Sequence, residues 1–175
     1  MNTQNELPSL VVEALHEALD DEYKAYAIYD AIINKFGQIR PFTNIIEAEV
    51  RHANAVKALM QKYHLNVPEN PYLSGAKPLP EVPSTIERAC EMGVVAEIEN
   101  VALYQDKILP AVSDYRDITA TMLNLFSASQ NNHLPAFQRC VARQGGQNSG
   151  QGRGQKAGRR GKGLQGGGRG HRCGE

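Results

Sequence analysis

The chain has 175 residues and no net formal charge, but that balance conceals two oppositely charged parts. Residues 1–142 carry 11 Lys/Arg against 18 Asp/Glu, and residues 143–175 carry 8 against 1, so an acidic body of about −7 bears a basic tail of about +7. The tail takes 13 of the 16 glycines and offers only Ala157, Leu164 and Cys173 as apolar side chains, too few for a core.

These features predict a single domain over residues 1–142 and a disordered Gly/Arg/Gln-rich tail over 143–175. No stretch approaches the roughly 20 apolar residues of a membrane span, and MNTQNELPSL has neither the basic start nor the apolar segment of a secretion signal. A soluble, cytoplasmic protein without membrane contact is the expectation. Cys90, Cys140 and Cys173 are too few and scattered for a disulfide framework, and no C-x-x-C pair is present. Cys90 and Cys140 are expected to fill core space.

Four segments keep the alternating 3,4 spacing of a helix packed in a bundle and predict helices over 10–36, 42–64, 84–109 and 115–142. The first seam reads Val12, Leu15, Leu19, Glu22, Tyr26, Tyr29, Ile33, Phe36. The second, with Asn44 and Glu47 spaced as a capping box, reads Phe42, Ile45, Glu49, His52, Val56, Leu59, Tyr63. The third opens on a similar box at Ser84 and Glu87 and reads Cys90, Val94, Glu97, Val101, Tyr104, Ile108 before Pro110. The fourth reads Thr119, Leu123, Phe126, Gln130, His133, Phe137, Cys140, and Pro135 should kink it just after the histidine.

Short links make the first and last helix pairs antiparallel. Residues 65–83, with prolines at 68, 71, 78, 80 and 83, join the pairs. In an extended proline-rich conformation they reach on the order of 55 Å, against about 33 Å for a 22-residue helix. The linker can therefore cross the whole bundle. An all-α, ferritin-like four-helix bundle with a long crossover between its second and third helices is the fold predicted.

Each seam is apolar except at its middle, where Glu22, Glu49 with His52, Glu97, and Gln130 with His133 appear. A buried carboxylate costs several kcal/mol unless it is paired, protonated or bound to a cation, and no Lys or Arg occupies the central seams. A shared metal cluster satisfies three carboxylates and two imidazoles together. Glu49 and His52 lie three apart and face one way, as do Gln130 and His133. Oxygen and imidazole donors suit iron, manganese or zinc. Tyr29 and Tyr104 stand seven residues after Glu22 and Glu97, two turns along the same stripes, where they can support the ligands from behind.

The segments DDEYKAYAIY, EAEVRHANAVKALMQKYHL, GVVAEIEN and NHLPAF resemble the DUF2202 family, which belongs among the ferritin-like di-iron carboxylate proteins with rubrerythrin and bacterioferritin. The resemblance covers roughly residues 10–142. It implies Glu22 and Glu97 as single carboxylate ligands, Glu49 as a bridging ligand beside His52, and His133 from the second E-x-x-H. Gln130 replaces the second glutamate and gives only a weak neutral oxygen, so the site holds two irons, or one if that side stays empty. The implied activity is oxidation of ferrous iron, or reduction of O2 or peroxide. It uses a small oxidant and an external electron donor, and leaves a homodimer open. The rival reading is a non-catalytic binding protein whose tail, through Arg153, Arg160 and Arg169, contacts nucleic acid or an acidic partner.

Overall fold

A computed structural model of the chain describes residues 6–148, with side chains through residue 145. These residues are all-helical, with no strand among them. Helix α1 (Ser9–Phe36) ends where Gly37, at φ 83°, adopts the left-handed conformation that glycine accommodates, its N–H returning to the Ile33 carbonyl. Helix α2 (Phe42–Lys62) packs back along α1. The third rod joins α3 (Ile86–Leu103) through a π turn, Tyr104–Ile108, to α4 (Leu109–Val112). The fourth joins α5 (Arg116–Ala128) through a second π turn, Ser129–His133, to α6 (Leu134–Asn148), and α6 packs along α3.

The crossover follows α1 toward that helix's C-terminal end. The Tyr23 hydroxyl donates to the Pro68 carbonyl (2.9 Å), and Asn70 Nδ2 donates to the Tyr23 carbonyl (3.1 Å). Tyr72 and Lys77 both donate to the Asp20 carboxylate, and farther along Lys35 Nζ donates to the Val82 carbonyl. The second and third rods therefore begin at the same end of the bundle, as the long linker predicted.

Neither expected capping box forms. Pro41 precedes α2, and its carbonyl already accepts from the Asn44 and Ile45 amides, so Asn44 lies inside the first turn. At α3 the cap is Thr85 rather than Ser84, its side chain accepting from the Arg88 amide (3.2 Å).

The prolines act differently from the simple stop and kink the sequence suggested. Residues 105–112 (QDKILPAV) and 130–137 (QNNHLPAF) align position by position, and each stretch follows one π-turn pattern. Leu109 N–H bonds the Tyr104 carbonyl and Leu134 N–H bonds the Ser129 carbonyl, five residues back in both cases. Proline cannot donate to, and crowds, the carbonyl four residues earlier; a widened turn just before it relieves both problems. The third rod thus continues past Pro110 to Val112, and α6 continues past Ala142 to Asn148. Arg153, Arg160 and Arg169 lie outside the described residues.

The core divides into two apolar clusters. One contains Leu15, Leu19, Val56, Met60, Tyr104, Ile108 and Met122; the other contains Tyr29, Ile32, Phe42, Phe137, Cys90 and Cys140. Cys90 and Cys140 do more than fill space: they form a disulfide between α3 and α6, with Cα atoms 5.8 Å apart. Cysteine counting detects frameworks of several bridges, but this single bridge arises from the packing of two helices 50 residues apart in sequence. Gly93 lets the two helices approach, since a Cβ there would stand 2.5 Å from the Phe137 ring.

Closing a loop of this length restricts the unfolded chain by about 4 kcal/mol in the chain-entropy account. The Cys90→Ser/Cys140→Ser chain should unfold at lower denaturant, with a stability loss of about 2–4 kcal/mol. Equal midpoints by circular dichroism would mean that the bridge does not stabilise the fold.

Candidate metal centre

The layer between the two apolar clusters is polar and buried. Glu22 comes from α1, Glu49 and His52 from α2, Glu97 from α3 and His133 from the end of the second π turn. Glu22, Glu49, Glu97 and His133 are each no more than 5 % exposed, and His52 is half-buried. His52 Nδ1 lies 3.3 Å from Glu22 Oε2 and 3.1 Å from Glu49 Oε2. His133 Nδ1 lies 3.3 Å from Glu49 Oε1 and 3.6 Å from Glu97 Oε1. Glu49 thus turns one oxygen toward each histidine, and the two imidazoles stack with centroids 5.5 Å apart.

This geometry makes two triads that share Glu49. Glu22, Glu49 and His52 form one, and Glu49, Glu97 and His133 the other; in each, the donor atoms lie within 4.8 Å of one another. Among the described residues, the basic side chains within 4.0 Å of these three carboxylates are the two histidines. His133 Nδ1 is buried without a hydrogen-bond partner, although Glu49 and Glu97 are near. An unpartnered imidazole nitrogen beside carboxylates in a dry layer fits a cation: these groups can hold a metal.

The tyrosines bond crosswise. Tyr29 on α1 donates to Glu97 Oε1 on α3 (2.9 Å), and Tyr104 at the first π turn donates to Glu22 Oε1 on α1 (3.0 Å). Their equal spacing from Glu22 and Glu97 in sequence therefore becomes a reciprocal pair of bonds between rods. Burial, reinforced by Glu97 at Tyr29 and by Glu22 at Tyr104, pushes both phenols well above their ordinary range. They stay protonated donors and fix the orientation of both carboxylates.

The charges are unevenly held. Burial and the adjacent Glu22 charge push Glu49 well up. Burial pushes Glu22 upward too, but hydrogen bonding with His52 and Glu49 outweighs it and holds its carboxyl low. Asp21, which the seam pattern passed over because it stands one residue off the stripe, is drawn into this field. Burial and then the Glu22 charge raise it from 3.8 to about 7. Asn100 Nδ2 donates to Asp21 Oδ2, while Asn100 Oδ1 is buried without a partner. The acidic run Asp20-Asp21-Glu22 was the available signal.

Gln130 is not among the inward groups. It is exposed, and Ser129 takes the buried position beside the cluster. The π turn inserts one residue, so the residue four before His133 faces inward instead of the residue three before it. Ser129, with Asp21, Tyr29, Glu49, Glu97 and Asn100, lines a cavity of about 270 Å³ that reaches the second triad. A separate hollow of about 400 Å³ reaches His52 and His133 from between α2 and the fourth rod.

A family model described as "Uncharacterized protein domain (DUF2202)" matches residues 14–156, a span that includes every residue of both triads. The chain is also similar to "Uncharacterized protein MJ0754" from Methanocaldococcus jannaschii, at 28 % identity over 138 residues and 74 % of each chain. No solved structure is significantly similar to it.

Two measurements test this arrangement. Ser129→Glu places a fourth carboxylate where the cavity leaves room and should tighten metal binding roughly tenfold or more, whereas Gln130→Glu should change it little. Titration calorimetry that ranks the variants in the opposite order would contradict the inward position of residue 129. The second test concerns pH. Folded Asp21 keeps a proton that the unfolded chain has lost, so metal-free protein should lose stability as pH rises from about 4 to about 7. Asp21→Asn should flatten that slope in denaturant titrations, and an unchanged slope would remove Asp21 from the explanation.

Proposed function

The chain belongs to the DUF2202 family, and we propose that it is a ferritin-like protein that holds two iron ions and reacts with a small oxidant, O2 or peroxide. The observation that carries this reading is the position of Glu49 between two histidine-containing triads, with His133 Nδ1 buried and unpartnered. The topology supports it: four rods, a crossover between the second and third, and ligands drawn inward from all four. The oxygen and imidazole donor set suits iron, and also manganese or zinc, while bound iron would supply reversible one-electron chemistry.

The chain's own groups divide the work. Glu49 would serve both ions, Glu22 and Glu97 would each serve one, and His52 and His133 would supply one nitrogen to each side. Tyr104 and Tyr29 hold the Glu22 and Glu97 carboxylates in place through their hydroxyl hydrogen bonds. Three carboxylates facing two divalent cations leave net positive charge, which favours an anionic or readily reduced oxygen ligand. The cavity at Ser129 gives a small oxidant one approach to Glu49 and Glu97, and the hollow between α2 and the fourth rod gives another to His52 and His133. The two apolar clusters keep the layer dry and strengthen every electrostatic interaction within it.

Metal analysis and melting test the reading together. The purified chain should bind two ferrous ions, and Glu49→Ala should disrupt both sites because both use that residue. Free metal at roughly a hundredfold over Kd should add about 2.7 kcal/mol to stability, seen as a higher melting temperature than with a chelator. No bound metal and equal melting temperatures would leave the layer as a hydrogen-bonded polar core and sink the proposal.

A further inference from the structure

The disulfide stands in register with the second triad. Cys90 precedes Glu97 by seven residues on α3, and Cys140 follows His133 by seven on the fourth rod. Seven residues are nearly two turns and rise about 10.5 Å, so the sulfur pair lies about that far along the bundle from both ligands. The intervening layer is aromatic. Phe137, Phe42 and Tyr29 touch one another with centroids 5.1–5.7 Å apart, and all belong to the buried cluster that contains both cysteines. Tyr29 completes the connection through its hydroxyl on Glu97.

We propose that Cys90 and Cys140, in their dithiol form, are an internal two-electron donor to the metal pair, giving the chain a metal-dependent thiol peroxidase activity. The inference rests on the iron reading above. Hydrogen peroxide takes one electron from each of two ferrous ions and, with two protons, becomes two waters. The Cys90 and Cys140 thiols then release two protons and two electrons, the S–S bond forms, and both ferric ions return to the ferrous state. The net reaction converts one peroxide and two thiols into two waters and one disulfide. The structure holds the pair in that oxidised product form.

Burial favours this route over direct attack by the thiols. Cys90 and Cys140 are 0 % and 1 % exposed, so peroxide in solution has no direct access to either sulfur. Electrons reach the oxidant by way of the centre, whose cavity admits a small molecule. A small external dithiol recharges the pair when the contact between α3 and α6 opens, and thiol–disulfide exchange sets the rate of that step.

The test uses the full chain carrying Cys173→Ser, which leaves only the two bridging cysteines. The protein is refolded reduced and without oxygen, divided into ferrous-loaded, zinc-loaded and metal-free samples, and given one equivalent of hydrogen peroxide. Disulfide formation is read by alkylation and intact mass, and ferrous iron by a colorimetric chelator. The ferrous sample should form the disulfide at least about tenfold faster than the other two and recover its ferrous iron. Iron in the Cys90→Ser/Cys140→Ser chain should stay ferric. Bound iron with equal disulfide rates in all samples, or ferrous recovery without the cysteines, would overturn this proposal alone. Failure to bind iron would overturn the iron reading and this proposal with it.

Discussion

Three carboxylates buried in one layer without a cationic side chain are the constraint around which this bundle is built. Each would cost several kcal/mol in a dry core, and their mutual repulsion adds to that cost. The chain meets it by convergence. Two imidazoles lie within about 3.6 Å of the carboxylate oxygens, two phenols donate from the opposite rod, and Glu49 is pushed toward its protonated form. Hydrogen bonding with His52 and Glu49 holds the Glu22 carboxyl low against its burial. The same convergence would present a cation with donors already in position.

The two halves of the chain solve the same geometric problem unequally. Both carry a glutamate and a tyrosine seven residues apart, and the tyrosines exchange across the bundle to brace each other's glutamates. On the third and fourth rods a π turn before a shared Leu-Pro-Ala step repeats, and its last residue plays a different part in each. Ile108 completes the apolar cluster, whereas His133 enters the polar layer. One backbone device therefore serves apolar packing in one rod and the polar layer in the other. The extra residue of the second turn turns Ser129 inward, beside the cavity that reaches Glu49 and Glu97.

Much of this was legible in the sequence because helical periodicity and burial cost are local arguments. Polar residues in the middle of otherwise apolar stripes identified Glu22, Glu49, His52, Glu97 and His133, and linker length identified the crossover. Gln130 was misplaced because ordinary 3.6-residue periodicity was extended through a segment whose proline forces a wider turn. Asp21 escaped because its stripe position is outward by count, while burial beside Glu22 and Asn100 depends on how close α1 and α3 lie. The caps at Pro41 and Thr85 were displaced by one to three residues, the usual reach of competition between neighbouring capping groups. The Cys90–Cys140 bridge depends wholly on tertiary approach, at a place where Gly93 lets α3 and α6 come together.

The disulfide and the metal layer act on the same two helices, and that shared lever arm links fold stability to ligand geometry. α3 carries both Cys90 and Glu97, and the fourth rod carries both His133 and Cys140. Fixing the helices at the sulfur pair limits how far Glu97 and His133 can separate about 10.5 Å away, since a helix is stiff over two turns. The packing between them leaves little slack: Phe137 fills the space that a side chain on Gly93 would need, and it presses on Tyr29, whose hydroxyl aligns Glu97. Opening the bridge would relax the triad that contains the unpartnered His133 nitrogen more than the triad on α1 and α2. The Cys90–Cys140 bridge is thereby linked by geometry to the Glu49–Glu97–His133 triad.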